Sequence, residues 1–141
     1  MTQVEKQLLL KDISARLICG VMIQHPDLFY PSKTVVEKLT SIDGESINDD
    51  GIYVEQVKPY LRPMSSMTEK ERAEMGRAIQ KDRIEPYGEI KNFGEDSLLL
   101  CTIKQSTNLQ DWLNVHHFDY RGLIPMGLAL EAPEGMYSEN C

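Results

Sequence analysis

His116, His117 and Asp119 are the one place in this sequence where imidazole and carboxylate groups crowd together. Such groups can move protons near neutral pH or ligate zinc. Two features oppose that use. Neighbouring residues on a helix point about 100° apart, and no HxxxH or HxH spacing offers an ion two imidazoles on one face. His116 also continues the Leu109, Trp112, Leu113 stripe at helical spacing. A structural histidine, hydrogen-bonded in the core, is the favoured reading. Two histidines and one carboxylate fall short of a zinc ligand set, so neither a metal nor any other cofactor is expected. The alternative they leave open is a small metal-dependent or acid–base enzyme built on His116, His117 and Asp119.

Other chemistries lack their residues. No GxSxG elbow presents a nucleophile, and Ser65-Ser66 precedes a helix start that attracts serine for capping alone. Gly122, Gly127 and Gly135 follow no strand–helix junction and match neither a GxGxxG nor a Walker spacing. Asp43, Glu45, Asp49 and Asp50 do not fall in the register of a calcium-binding loop, so they read as solvated turns. Tyr60, Arg62, Arg83 and Tyr87 could stack bases and contact phosphates, the basis of a further alternative as a nucleic-acid-associated accessory protein.

Charge weighs against that alternative. Twenty-two acidic and fifteen basic side chains give the 141 residues a net charge of -7, a field that repels polyanions and favours solubility. Apolar residues make up 41% and charged residues 26%, ordinary values for a globular chain with a core of its own. One domain spanning residues 1–141 is expected at this length. Apolar runs of three or four residues, such as Leu8–Leu10, are far short of a membrane span, and the charged opening MTQVEKQLLLKDI lacks a signal-peptide core. Cys19, Cys101 and Cys141 are odd in number and widely spaced, which suits free thiols. Together these point to a cytoplasmic protein, with Cys19 and Cys101 as core fillers and Cys141 exposed.

The elements that must position these residues follow from local signals. Thr2 and Glu5 stand at capping-box spacing before Leu10, Ile13 and Leu17, which predicts a helix from about Thr2 to Ile18 stopped by Gly20. Val21 to Gln24 reads as a short strand, after which Pro26 and Pro31 forbid regular pairing. Thr34 to Ile42 predicts a strand turning at Asp43-Gly44 into a return strand at Glu45–Ile47. A second turn at Asn48–Gly51 leads to a strand from Ile52 to Val57. The segment Lys58–Met67, with Pro59 and Pro63, predicts an extended crossover. Thr68 and Glu71 open a helix through Asp82 with Met75, Ala78 and Ile79 as its stripe. A loop or short strand around Ile90 follows. Ser97–Lys104 predicts a buried strand, and Thr107 with Gln110 a third capping box. Gly122–Gly127 predicts a turn and Leu128–Ala132 an extended tail.

Three blocks resemble a known group. LLLKDISARL followed by Gly20-Val21, then KPYLRPMSSMTEKE, then HFDYRGLIPMGLALEAPEGMY are similar, in that order, to a family of uncharacterised small proteins from Bacteroides-type gut bacteria and their phage-like or mobile regions. Ile18 and Cys19 stand where the family's pattern has proline and tyrosine, and Pro125 where it is more often charged. The resemblance implies source and context and brings no catalytic residue with it.

The resulting expectation is an α+β fold: a small antiparallel sheet or partial barrel, in one version SH3-like, with two to three packed helices. The expected function is a non-enzymatic protein-interaction or adaptor module, with no membrane contact and with a homodimer as one form. Its binding residues would be Tyr60, Leu61, Arg62 and Met64 on the crossover and Tyr120, Leu123 and Tyr137 in the tail, where large side chains lie outside regular elements. The competing account is that these residues cover open sheet edges.

Overall fold

Thr2 and Glu5 open the first helix as their spacing predicts: the Thr2 hydroxyl accepts the Glu5 N–H at 3.1 Å, and the Glu5 carboxylate accepts the Thr2 N–H at 3.2 Å. This reciprocal pair satisfies donors that every helix start leaves without intrahelical partners. In the computed structural model, which describes residues 1–80 and 96–137, helix α1 spans Gln3–Arg16, a 3₁₀ turn covers Leu17–Cys19, and Gly20 ends it at φ 67°. The buried face differs from the expected stripe. Leu9, Asp12, Ile13 and Arg16 are fully buried, while Leu10 and Leu17 are half-buried. An ion pair at i, i+4 spacing therefore occupies a face that hydropathy alone assigns to solvent.

The chain divides into two compact units, one of Met1–Met64 with Asn114–Cys141 and one of Ser65–Leu113. In the first lie the seven strands of the described residues: β1 (Met22–Pro26), β2 (Thr34–Lys38), β3 (Ile42–Asp43), β4 (Ser46–Ile47), β5 (Ile52–Tyr53), β6 (Lys58–Leu61) and β7 (Leu130–Glu131). The main sheet has the order β2-β1-β6-β7, antiparallel except for the β6–β7 pair, and β3, β4 and β5 form a small meander. Leu9 and Ile13 of α1 cluster with Val21, Ile23, Leu39, Ile47, Ile52, Leu61 and Leu123 as this unit's core. The class is α+β as expected, with a mixed rather than wholly antiparallel main sheet.

Pro26, expected to forbid pairing, and Pro59, expected in a crossover, both sit inside strands, and the register explains why. Leu39 N–H donates to Val21 C=O and Ile23 is opposite Glu37, so odd-numbered residues of β1 bond to β2 and even-numbered ones face β6. Pro26, opposite Thr34, thus turns its missing N–H away from β2, at a height where β6 has not begun. Pro59 is opposite Ile23, at a position whose backbone groups do not face β1, and its nitrogen faces β7 before pairing there starts at Tyr60. The expected crossover at Lys58–Met67 is therefore a central strand in its first four residues, because a proline costs a strand nothing where no donor is needed.

Other differences are local. The β3–β4 turn forms where expected, with Gly44 at φ 61° as its first central residue, and Asn48–Gly51 makes the next turn. The strand expected to Val57 stops at Tyr53, since the Gln56 side chain accepts the Tyr53 N–H at 3.1 Å and closes a 3₁₀ turn at Val54–Gln56. In the second unit, Thr68 caps helix α2 (Glu69–Ile79) with both capping-box bonds to Glu71, and Met75, Ala78 and Ile79 are half-buried. Asp82 and the segment around Ile90 lie outside the described residues, as do Arg83, Tyr87 and Cys141.

The strand expected at Ser97–Lys104 is overturned: Asp96–Val115 is one twenty-residue helix, α3. No glycine or proline interrupts residues 95–121, and leucine favours helix when nothing breaks the run. Thr107 lies inside α3, so its spacing to Gln110 caps nothing. Half-buried Cys101, Gln105, Asn108 and Leu109 and buried Trp112 recur at helical spacing, which places Cys101 on a helix face rather than in a core strand. Trp112 is 9% exposed. No helix among the described residues is long and apolar enough to cross a membrane.

Candidate functional site

Helix α3 ends where His117 takes φ 62°, a left-handed conformation that usually calls for glycine. The next residues run beside β6. Arg62 N–H donates to His117 C=O at 2.7 Å, and Asp119 N–H donates to Arg62 C=O at 2.8 Å. Asp119 then caps the turn into the tail: its two carboxylate oxygens accept Leu123 N–H at 2.8 Å and Ile124 N–H at 2.9 Å. The His117 ring is 2% exposed and stacks on Tyr137 with centroids 3.6 Å apart. Burial, then the charges of Arg16, His116 and Arg62, push its pKa down to about 4. His116 is half-buried just past the helix end. The three sequence candidates thus stand close in the chain, with Asp119 spent on backbone donors and His117 on a ring stack. Among the described residues no group of three His, Cys, Asp or Glu side chains could hold a metal.

Tyr137 joins this region to the main sheet. Even-numbered residues of β1 face β6, and Gln24 is opposite Lys58, so the next rung should link Met22 to Tyr60. Instead the Tyr137 hydroxyl lies between them, accepting Met22 N–H at 2.8 Å and donating to Tyr60 C=O at 2.7 Å. Beyond that point β6 bonds to the His117–Asp119 segment rather than to β1. The edge of β6 forks at Tyr60, and the phenol fills the fork. Burial pushes the Tyr137 pKa up to about 12, so the hydroxyl keeps the proton it donates.

A buried charge network lies in the same unit. Arg16 Nε and Nη2 donate to the Asp12 carboxylate at 2.9 and 3.2 Å, and Nη2 also reaches Phe118 C=O at 2.6 Å. Arg121 Nε donates to Asp12 Oδ1 at 3.1 Å, the oxygen that Arg16 Nη2 also reaches. Both guanidinium carbons lie 5.0 Å from the Tyr120 ring centroid, a distance at which cation–π attraction is felt. Arg16 Nη1 and His117 Nδ1 are buried without a hydrogen-bond partner. The Asp12/Arg16 spacing was visible in the sequence, but nothing in a lone i, i+4 pair says it is buried.

Of the expected binding residues, Leu61 and Leu123 are wholly buried, Tyr60, Arg62, Tyr120 and Tyr137 half-buried, and Met64 is 42% exposed. Tyr60 donates its hydroxyl to Gln24 at 2.7 Å, and Arg62 lies 4.2 Å from the Phe118 ring centroid.

Among the described residues, the loop between β1 and β2 carries three consecutive large apolar side chains that are exposed. Leu28, Phe29 and Tyr30 are 52%, 86% and 62% exposed. Asp27 organises them: its carboxylate accepts Phe29 N–H at 2.8 Å and Tyr30 N–H at 3.0 Å, and its own N–H donates to Lys33 C=O at 2.9 Å. The Lys33 ammonium is 5.1 Å from the Tyr30 ring centroid. An Asp two residues before an aromatic pair is the sequence signal for such a turn. Beside the loop lies an open cavity of about 240 Å³ lined by His25, Pro26, Pro31, Thr34 and Lys58 among others, below the ~300–1,000 Å³ of ordinary ligand pockets. His25 presents each ring nitrogen to an acceptor, Nδ1 to Pro26 C=O at 2.8 Å and Nε2 to Glu37 at 3.0 Å. No protein-family model, curated protein or solved structure matches the chain.

Proposed function

We propose that the protein is a non-enzymatic docking module that binds another protein through the Leu28–Phe29–Tyr30 loop. The observation that carries this reading is an aromatic pair held outward by a bonded turn. Burying a phenylalanine stabilises a fold by about 1.5–3 kcal/mol, and Phe29, 86% exposed, forgoes most of it. The Asp27 turn fixes the backbone beforehand, so little ordering entropy remains to be lost on binding. Aromatic anchors on such a rigid turn are what interface hot spots use.

A photo-crosslinking amino acid at position 29 tests the reading in cells. The expected result is one discrete crosslinked protein, absent when the probe stands at position 53, another exposed site. The purified pair should then bind in calorimetry and lose at least tenfold affinity with Phe29→Ser. Equal crosslinking from both positions, or unchanged affinity in Phe29→Ser, would overturn it.

A further inference from the structure

The outer edge of β2 carries a second surface. Since Val35, Glu37 and Leu39 bond inward to β1, the N–H and C=O groups of Thr34, Val36 and Lys38 point outward. The Asn48 side chain confirms the direction: its Nδ2 donates to Lys38 C=O at 2.9 Å, and its Oδ1 accepts Thr40 N–H at 2.7 Å. One amide thus imitates a peptide of a neighbouring strand and stops the edge at Thr40. The Asp27–Lys33 loop stops it at the other end. Between the stops lies a five-residue open edge centred on Val36, which is 45% exposed. Open edges of this kind pair with other chains unless something prevents it.

We infer that this edge pairs with the same edge of a second copy, antiparallel and two-fold about Val36, to give a continuous eight-stranded sheet. Its free groups map onto themselves under that rotation. Val36 N–H meets Val36 C=O of the other copy in both directions, and Lys38 N–H meets Thr34 C=O in both directions. These four bonds have no competing partner, whereas the Thr34 N–H bonds would share Lys38 C=O with Asn48. Side chains agree with this register: Val36 opposes Val36, Thr34 opposes Lys38, and Val35 opposes Glu37, so no like charges meet. Just past the ladder, Lys33 of each copy comes beside the Asn48–Gly51 turn of the other, where Asp49 and Asp50 are exposed. With each copy at -7, these two opposite-sign contacts select this register against the general repulsion. Lys33 also lies over Tyr30 of the docking loop, but the ladder about Val36 shares no residue with Leu28–Tyr30, so the Val36 variants let either reading fail alone.

Sedimentation equilibrium of the full chain tests it. A mass of twice 16.1 kDa is expected, with dissociation strengthened at least tenfold by Val36→Pro. That proline removes only an outward N–H and leaves the rungs to β1, and far-UV circular dichroism checks that the fold survives. Should the proline variant misfold, Val36→Lys sets two ammonium groups face to face and is expected to dissociate the pair. Lys33→Glu should weaken it, and adding Asp49→Lys and Asp50→Lys should restore it. A wild-type monomer at all concentrations up to about 200 µM, where a specific pair would form, overturns the inference. So does a dimer that a folded Val36 variant leaves unchanged.

Discussion

Replacing Tyr137 with phenylalanine removes a single oxygen from the fork in the main sheet. The ring keeps its stack on His117, 3.6 Å between centroids, so packing changes little. What is lost is the rung: Met22 N–H and Tyr60 C=O, which the hydroxyl holds at 2.8 and 2.7 Å, are left facing each other across the space of a ring edge. A backbone group stranded away from water costs about 1–3 kcal/mol. Both residues are half-buried rather than sealed, so the expected loss is about 2–4 kcal/mol out of a typical 5–15. Urea unfolding followed by circular dichroism measures the loss, and hydrogen exchange at the Met22 amide locates it. Exchange at that amide should speed up while those of Ile23 and Gln24 hold. A loss under about 0.5 kcal/mol with Met22 still protected would refute the reasoning, because β1 and β6 would then have closed on each other and the phenol would be filler.

Acid should destabilise the fold through His117. Its pKa of about 4 in the native state lies below the ordinary 6.5, so the unfolded chain binds the extra proton first and stability falls as pH drops from about 6.5 to 4. The shift amounts to about 3 kcal/mol. His117→Asn, which tolerates left-handed backbone, should flatten that part of a urea-midpoint profile, and an unchanged profile would place the acid sensitivity elsewhere. Asp12→Ala strands the Arg16 guanidinium in a fully buried position and should cost about 3–5 kcal/mol. The double variant Asp12→Leu, Arg16→Met should recover much of that in a thermal melt, and no recovery would show that the pair holds the helix by more than charge balance.

Local signals in the sequence were reliable where the physics is local. Thr2/Glu5 and Thr68/Glu71 are capping boxes because a hydroxyl and a carboxylate three residues apart need no distant partner. Thr107/Gln110 has the same spacing and caps nothing, since a box matters only where a helix begins and this helix already runs from Asp96. Four consecutive apolar residues look alike in either state. What decides is the uninterrupted length up to Val115. The prolines misled for a related reason: whether Pro59 breaks a strand depends on which neighbour its nitrogen faces, and that is set by the register with β1 and β7. Leu61 and Leu123 were legible as large apolar residues outside obvious elements, yet their burial follows from β6 being central, a long-range fact. The outward loop at Leu28–Tyr30 has only a weak local signal, an Asp27 able to bond the Phe29 and Tyr30 amides, and whether its side chains face solvent depends on the rest of the fold.

The unit that contains both sheets is discontinuous, with Ser65–Leu113 set between its two parts, and this has a consequence for how the protein is made. A ribosome delivers β1 and β6 early, but β7, the His117–Asp119 segment and Tyr137 emerge only after the whole intervening stretch. At ~5–20 residues per second, that delay is on the order of 4–15 s. During it, β6 has β1 on part of one side and nothing on the other, and Leu61 has no Leu123 to pack against. Helix α2 and most of α3, which arrive meanwhile and rest on local contacts, can form in far less than a second. The part of the chain begun first is thus completed last, and a nascent chain stalled near residue 113 should expose the apolar surface that a chaperone binds.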